Sequence, residues 1–235
     1  MGPASEPDRG IVQIAALDQP LRRALYGLLV QRDDWVTRDE AAATLGVARS
    51  VAAFHLDKLA EAGVAEVTFE RPSGRSGPGA GRPAKLYRRR AEELAASVPD
   101  RRYDLAGSLL ATAIAEAERT GAPVGACLST TARDAGRAIG TDAAPVGSLA
   151  TTNERRQAVL DVLGRHGYEP VLGEKGEIAL VNCPFHRLAE EHRSLVCGMN
   201  VEFLAGLLEG MGPSDHLDAR LAPEPGYCCV RITAT

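Results

Sequence analysis

The chain has 235 residues, enough for one large domain or two small domains that each bury an apolar core. Its apolar content of 45% and charged content of 25% are ordinary for a globular protein, and a net charge of −4 argues against binding polyanions through overall charge. The N-terminus lacks a signal-peptide pattern, and no stretch approaches the roughly 18 apolar residues of a membrane span. We therefore expect a cytoplasmic protein with no membrane partner.

The first helix is predicted to follow a short polar tail. Residues 1–10 are polar and contain Gly and Pro, so we expect them to be disordered. A helix is predicted from Asp18, which can cap it, and Pro20 suits the first helical turn. The apolar stripe of this helix comprises Leu21, Leu25, Leu28 and Leu29.

Two further helices follow, joined by a short turn. Thr37 and Glu40 form the sequence signature of a capping box, and Gly46 can end the helix that they begin. The next helix carries "RSVAAFHLDKLAE" and ends at Gly63. We expect its inward residues to be Val51, Leu56 and Leu59. Two short helices joined by a turn containing Gly are typical of a helix-turn-helix.

A β-hairpin is predicted after these helices. "VAEVTFERP" alternates apolar and polar residues, and "KLYRRR" forms the returning strand beyond a stretch rich in Gly and Pro. Three helices and a hairpin are the order of a winged helix-turn-helix, which we place over residues 11–90. From residue 71 to residue 90 the charged side chains are all basic, namely Arg71, Arg75, Arg82, Lys85, Arg88, Arg89 and Arg90.

This local positive charge predicts double-stranded DNA as a partner. A recognition helix reads base edges with its N-terminal residues, and a wing can carry an arginine such as Arg82 into the minor groove. The candidate DNA-binding residues are Arg38, Arg49, Ser50, His55, Lys58, Arg75, Arg82, Lys85 and Arg88. Two alternatives stay open: the basic run is only a solvated face, and His55 packs beneath the wing.

Residues 91–122 are predicted to hold a long helix. Leu105, Leu109 and Ile114 lie in it among many alanines, and Gly121 ends it. We interpret it as a dimerisation helix, because a two-fold operator is read better by a homodimer than by one small module. The alternative is a helix packed on its own domain.

Residues 123–235 are predicted to form a sensor domain. An amphipathic helix from Thr152 or Asn153 to Gly167 precedes two strands, a helix with Pro184 in its first turn, and a second helix over "CGMNVEFLAGLLEGMG". Two alternating strands around a Pro-Glu-Pro-Gly turn close the chain. The expected fold class is therefore α+β, with a winged helix-turn-helix, a long dimerisation helix and a C-terminal α+β domain.

Four of the five cysteines lie in two stretches of this domain, "VNCPFHRLAEEHRSLVCGMN" and "PGYCCVRI". Cys183 and Cys197 are near expected helix starts, which favour the thiolate over the thiol. Cys228 and Cys229 begin the final strand, so their side chains are expected on opposite faces, with Cys228 inward beside Val230. Cys228 is then the better candidate ligand, although adjacent cysteines can also form a bulge.

These cysteines have three open interpretations. An odd number of cysteines without an export signal favours metal or redox chemistry over structural disulfides. Thiolates at long, mixed spacings could hold an iron–sulfur cluster, but they are not the tight pairs of a zinc ribbon. They could instead be buried inert thiols, or they could sense oxidants by forming a disulfide.

The helix "RSVAAFHLDKLAEAGV", the wing "GPGAGRPAKLYRRR" and the two cysteine stretches resemble the SufR-type regulators of iron–sulfur assembly genes, whose DNA-binding part is akin to ArsR and DeoR winged helices. The resemblance runs from Leu17 onward. It implies a dimeric repressor that binds a cluster, usually [4Fe–4S], with [2Fe–2S] or zinc as alternatives. The implied ligands are Cys183, Cys197 and either Cys228 or Cys229. Candidates for a fourth ligand are His186, His192, His216 and the other cysteine of the adjacent pair.

The implied function is a DNA-binding repressor of iron–sulfur assembly genes whose operator affinity depends on the state of the cluster, with Cys127 as a core thiol. Two other classes stay open: a regulator that responds to zinc or another metal ion, and one that responds to a small molecule. An enzyme with a small-molecule substrate is not expected, because the sequence has no Gly-rich phosphate loop before a helix and no His/carboxylate cluster at catalytic spacing.

Overall fold

The structure is a computed structural model, and it describes residues 6–70, 83–144, 152–173, 176–212 and 217–234. The chain divides into two compact units, Met1–Ser97 and Val98–Thr235, and each has its own apolar core. Both units combine helices with an antiparallel sheet, which confirms the α+β class. Within the described ranges, none of the helices is long and apolar enough to cross a bilayer.

The first unit has the element order of a winged helix. Its elements are α1 (Glu6–Ala16), α2 (Pro20–Arg32), β1 (Val36–Thr37), α3 (Arg38–Leu45), α4 (Arg49–Glu61), β2 (Ala65–Glu70) and β3 (Ala84–Arg89). The sheet order is β1-β3-β2, so β2 and β3 form the expected hairpin. The short strand β1, which was not predicted, pairs with β3 through Val36 and Tyr87.

Local sequence explains where α2 and α3 begin. Pro20 is the first residue of α2, but the N-cap is Gln19 rather than the predicted Asp18. The predicted capping box is present in α3: the Glu40 N–H donates to Thr37 Oγ1 at 3.1 Å, and the Thr37 N–H donates to the Glu40 carboxylate at 2.8 Å. The Thr37 N–H and the Thr37 hydroxyl both donate to the Glu40 carboxylate, and these two bonds hold the pKa of Glu40 below its usual value.

Val51 of α4 does not face the core, contrary to the sequence prediction. Its side chain is 39% exposed, and Ala52 takes the inward position one residue later. Ala52, Leu56 and Leu59 are all fully buried and lie four and then three residues apart, which is one helical face. Val51 is rotated about 100° from Ala52 and therefore points to solvent.

Helix α1 occupies part of the segment that was expected to be disordered. It begins at Glu6, so the prediction of disorder for residues 1–10 fails from that residue onward. Gly10 is buried against backbone of the same unit, and the buried Gln13 amide donates to the Gly63 carbonyl oxygen at 3.2 Å. The buried face of α1 contains glycine and glutamine rather than large apolar residues, which is why the composition concealed it.

The second unit surrounds a pair of long helices. Its helices are α5 (Tyr103–Thr120), α6 (Val124–Ala143), α7 (Thr152–Arg165), α8 (His186–Glu191) and α9 (Arg193–Gly210). Its strands are β4 (Pro170–Leu172), β5 (Ile178–Leu180), β6 (Leu217–Leu221) and β7 (Val230–Ala234), in the sheet order β4-β5-β7-β6. Helix α6 was not predicted, because its buried face consists largely of small residues.

Helix α5 belongs to the second unit and not to a separate segment over residues 91–122. Ala106, Leu109 and Ala113 are buried in the core of that unit, whereas Ile114 is 47% exposed. Leu109 and Ile114 are five residues apart, about 140° around a helix, so they cannot share the predicted dimerisation face. The prediction of this dimerisation face is therefore wrong, and the Leu109 side of α5 packs within its own protomer.

Four glycines bring the backbones of α6 and α9 together. Gly136 and Gly140 of α6 lie against α9, and Gly206 and Gly210 of α9 lie against α6. A Cβ at any of these positions would overlap a carbonyl oxygen of the facing helix. Each helix thus carries a Gly-x-x-x-Gly pair, the spacing that lets two helix backbones approach closely. The contacts run in the same order along both helices, so the helices are parallel.

We predict that Gly206→Ala destabilises the second unit by about 2–3 kcal/mol, because the new methyl group meets a backbone carbonyl that cannot move aside. The matched control is Gly198→Ala on the same helix, where nothing lies within 4 Å of an added Cβ. This control should leave the stability unchanged or raise it by up to about 1 kcal/mol. Denaturant unfolding followed by circular dichroism checks both, and equal stability of the two variants would contradict the packing.

Candidate functional site

Helix α4 carries an ion-paired cation near each of its ends. Arg49 and Ser50 are exposed at the first turn. The Arg49 guanidinium forms an ion pair with Asp39 of α3, and the Lys58 ammonium pairs with Glu61 at 2.6 Å. Arg49 and Lys58, two of the residues predicted to contact DNA, therefore already have carboxylate partners within the protein.

Asp57 ties α4 to the hairpin. Its carboxylate accepts hydrogen bonds from the Lys85 ammonium at 2.5 Å and from the Tyr87 hydroxyl at 2.7 Å, both on β3. Partial burial opposes ionisation, but these two hydrogen bonds hold the pKa of Asp57 below its usual value. Burial and the bond to Asp57 raise the pKa of Tyr87, so its hydroxyl stays a donor. Lys85 thus fixes α4 on the hairpin.

The other predicted DNA-binding residues have varied surroundings. The Arg88 guanidinium donates to Glu66 at 2.8 Å and lies 4.6 Å from the centre of the Trp35 ring. Arg38 is half-buried on α3, and His55 is half-buried on α4. Arg75 and Arg82 lie outside the described residues. Arg88 therefore has a packing role whether or not it also contacts DNA.

Four of the five cysteines of the second unit form two pairs, which we call the cysteine site. Cys197 of α9 is joined to Cys229 by a disulfide. Cys183, in the loop between β5 and α8, is hydrogen-bonded to Cys228. The two pairs are linked through the backbone, because Cys228 and Cys229 are consecutive residues. Cys127 is buried in the core on α6, away from these four residues in sequence.

The surroundings of Cys183 favour its thiolate. The hydrogen bond with the Cys228 thiol, supported by the Phe185 N–H and the charge of Arg101, outweighs burial and lowers the pKa of Cys183 to about 7. The same pairing, with burial, raises the pKa of Cys228 above its ordinary value. As the pH rises through about 7, the pair becomes a Cys183 thiolate that accepts a hydrogen bond from a Cys228 thiol.

A buried chain of hydrogen bonds holds Cys228. The Tyr168 hydroxyl donates to Asn200 Oδ1 at 2.6 Å, and Asn200 Nδ2 donates to Cys228 Sγ at 3.3 Å. Tyr168 and Asn200 are both fully buried. Sequence reasoning missed them. The available signal was an asparagine between apolar residues three positions after Cys197, since a buried amide needs partners.

Arg101 holds the loop that carries Cys183. Its guanidinium donates to the Asn182 side chain and, at 3.0 Å, to the Cys183 carbonyl oxygen. The Asn182 amide donates in turn to the carbonyl oxygens of Asp100 and Gly167 at 3.0 and 2.6 Å. The start of the second unit therefore positions Cys183 and also places a positive charge beside it.

Cys229 does not point away from the other cysteines, as strand alternation predicted. Strand β7 begins only at Val230, so the two cysteines lie in the turn before it. The Cys228 N–H donates to the Leu180 carbonyl oxygen at 2.8 Å, and the Cys229 carbonyl accepts from the Ala222 N–H at 2.8 Å. In this turn each cysteine reaches a different partner.

The histidines proposed as ligands differ in their surroundings. His186 begins α8, is largely exposed, and pairs with a neighbouring glutamate at 3.2 Å. His192 lines an open cleft of 640 Å³ together with Cys197 and Cys229, whereas His216 lies outside the described residues. Among the residues that the structure describes, no three His, Cys, Asp or Glu side chains form a group that could hold a metal ion.

Residues 17–68 match a family model described as a helix-turn-helix domain. The matched range contains α2, α3 and α4 and reaches into β2. No curated protein and no solved structure matches the chain. We call the first unit the helix-turn-helix unit from here on. The family match and the element order support the assignment of this chain as a DNA-binding winged-helix transcriptional regulator rather than an enzyme.

We predict that Asp57→Asn destabilises the helix-turn-helix unit by up to about 1 kcal/mol at pH 7, a modest loss because the ion pair is partly exposed. The folded-state pKa of Asp57 is depressed, so its contribution is complete above the ordinary value of 3.8 and is lost as the pH falls below it. The difference between variant and wild type should therefore vanish in acid.

Fluorescence of Trp35, the single tryptophan, reports the unfolding of this unit. The matched control is Asp33→Asn, which removes the carboxylate from a more exposed pair with Arg89 at 3.3 Å and should change little. A loss at Asp33 equal to that at Asp57 would contradict the special role of the Asp57 contacts.

We predict that Cys183 of the reduced, metal-free protein is alkylated with a rate that rises through a midpoint near pH 7. Cys228→Ala removes the stabilising hydrogen bond and moves the pKa of Cys183 back toward 9.0, so the rate at pH 7 should fall about tenfold. Mass spectrometry after iodoacetamide treatment measures the rate at each cysteine. Cys127→Ser, a change in the buried core, is the control, and an unchanged Cys183 rate in Cys228→Ala would refute the pairing.

Proposed function

We propose that the chain is a transcriptional repressor whose DNA affinity depends on an iron–sulfur cluster held at the cysteine site. The observation that supports this is that four cysteines from three separate segments, the β5–α8 loop, α9 and the turn before β7, form two sulfur pairs that share the consecutive residues Cys228 and Cys229. Sulfur ligands of this number and softness suit an iron–sulfur cluster. The resemblance to SufR-type regulators adds iron–sulfur assembly genes as the proposed targets.

The residues around the cysteine site have the chemistry that an anionic group needs. Arg101 supplies positive charge at Cys183, and Asn200 supplies an amide donor at Cys228. Both groups favour the thiolate over the thiol, and the thiolate is the form that binds iron. The disulfide between Cys197 and Cys229 must be reduced before these two residues can act as ligands. Four sulfurs would complete a ligand set without His186.

When bound, an iron–sulfur cluster supplies a link among three segments. Oxidant, nitric oxide or iron shortage can remove this link. The residues of this chain place the link: Cys183 fixes the loop, Cys197 fixes α9, and Cys228 and Cys229 fix the turn before β7. We propose that this constraint is passed through a homodimer to the two helix-turn-helix units, so that operator affinity changes when the cluster is lost. Repression by the cluster-loaded form follows the resemblance.

A second candidate is a thiol–disulfide switch without a metal. The disulfide between Cys197 and Cys229 favours it, as does the neighbouring pair with a reactive Cys183. In this case the Cys197 and Cys229 thiols lose two protons and form a disulfide, a two-electron oxidant such as a peroxide takes up the electrons, and two equivalents of a cellular thiol reverse the step. Zinc held by the same sulfurs is the remaining metal alternative.

The test is anaerobic purification of the full chain, followed by an absorption spectrum and by iron, sulfide and zinc analysis. We predict a visible chromophore that is lost or destabilised when Cys183, Cys197 or Cys228 is replaced by serine, because a hard oxygen ligand replaces a soft thiolate. Cys127→Ser, the matched control in the core, should keep it. Cys229→Ser should lose it too, since Cys229 is paired with Cys197 and directly follows Cys228.

Each alternative has its own signature. Zinc without a chromophore supports the zinc-responsive regulator and contradicts the cluster. A colourless, metal-free protein whose DNA affinity changes when Cys197 and Cys229 are oxidised supports the switch. Full iron and sulfide content in Cys183→Ser would contradict the cysteine site as the place of the cluster.

A further inference from the structure

The outward face of α4 is apolar at its centre. Phe54 is 57% exposed and Val51 is 39% exposed, although both lie on the helix that is expected to enter the major groove. Val51 is the third residue of α4 and Phe54 the sixth, so both belong to the first two turns. Leaving a phenylalanine ring in water forgoes much of the roughly 1.5–3 kcal/mol that burial of such a side chain yields. A partner that covers the ring would recover it.

The charged residues around this face are engaged with one another. Arg49 pairs with Asp39 and Lys58 pairs with Glu61. The Lys58 ammonium also lies 5.9 Å from the centre of the Phe54 ring. The surface that projects between these ion pairs is therefore neutral and apolar, which suits base edges better than phosphate groups.

The Phe54 ring is also held in place. The His55 ring packs against it edge-on, with 5.1 Å between the ring centres and 80° between the planes. His55 is half-buried, so this contact orients Phe54 from the inner side of the helix. A side chain oriented in this way loses less conformational freedom on binding than a free one.

We propose that Phe54 and Val51 determine sequence specificity by contacting the C5-methyl groups of thymines in the major groove. The methyl group is the apolar feature that distinguishes thymine in that groove, and apolar side chains read it. Residues in the first turns of a recognition helix are those that reach base edges. The inference rests on the proposed function only in that the helix-turn-helix unit binds DNA; it does not depend on the cluster.

The experiment starts from a random duplex library, from which the full-length wild type selects its own site. Each thymine of the selected duplex is then replaced in turn by deoxyuridine, which removes the methyl group and keeps the hydrogen-bonding edge. We expect at least one replacement to weaken wild-type binding by about threefold to fivefold, the effect of one buried methyl group. The same replacement should not weaken binding of Phe54→Ala or Val51→Ala further.

The controls separate this reading from a general loss. Val30→Ala changes another exposed valine, 42% exposed on α2, and should bind the selected duplex as the wild type does and keep its sensitivity to deoxyuridine. Phe54→Leu retains an apolar contact and should keep most of the affinity. Circular dichroism of each variant checks that it is folded.

The outcomes are distinct. If the wild type selects no duplex, DNA binding itself fails. If it selects a duplex but every deoxyuridine replacement is neutral, or if Phe54→Ala and Val51→Ala stay as sensitive as the wild type, DNA binding stands and the inference is overturned. A Phe54→Ala variant that binds DNA normally but sediments as a smaller species assigns the face to protein association, which also overturns it.

Discussion

The close contact between the backbones of α6 and α9 is the constraint on which the second unit depends. Without side chains at Gly136, Gly140, Gly206 and Gly210, the two helices interlock at a distance that no larger residue permits. Helix α9 is the element that carries both Cys197 and Asn200. The close packing of α9 against α6 therefore determines where Cys197 and the Asn200 amide lie.

Ion pairs at the edge of this contact set its register. Arg133 lies 3.2 Å from Glu209, and Arg137 lies 2.9 Å from the same carboxylate. Such exposed pairs contribute little stability individually, but they favour one sliding position of the helices over others. In the helix-turn-helix unit, side chains rather than close backbones position helix α4. Leu56 and Leu59 hold its buried side in the core, and the hydrogen bonds to Asp57 hold it against the hairpin.

Sequence reasoning succeeded where a feature depends on residues close together in the chain. The Thr37–Glu40 capping box and the left-handed Gly46 that ends α3 are set within a few residues, and both were predicted. Sequence reasoning failed where the environment of a residue is set by residues that are distant along the chain. The exposure of Val51 depends on which side of α4 meets the core, and the burial of Leu109 depends on α6, an element that the sequence pattern did not reveal.

The cysteine site was predicted only in part for the same reason. Composition and spacing singled out the four cysteines, but their pairing depends on the turn before β7, where Cys228 and Cys229 escape the alternation of a strand. Asn200 and Arg101 could not be connected to the cysteines from the sequence, because they are distant from Cys228 and Cys183 along the chain.

The internal ion pairs of α4 have a consequence for how such a protein would search DNA. A cation that is already paired with Asp39 or Glu61 exchanges one anion for another when it meets a phosphate, so it gains little from random DNA and releases few counterions. Weak attraction to arbitrary sequence means short residence at wrong sites. Helix α4 itself would therefore add little to the time that the protein spends on non-cognate DNA.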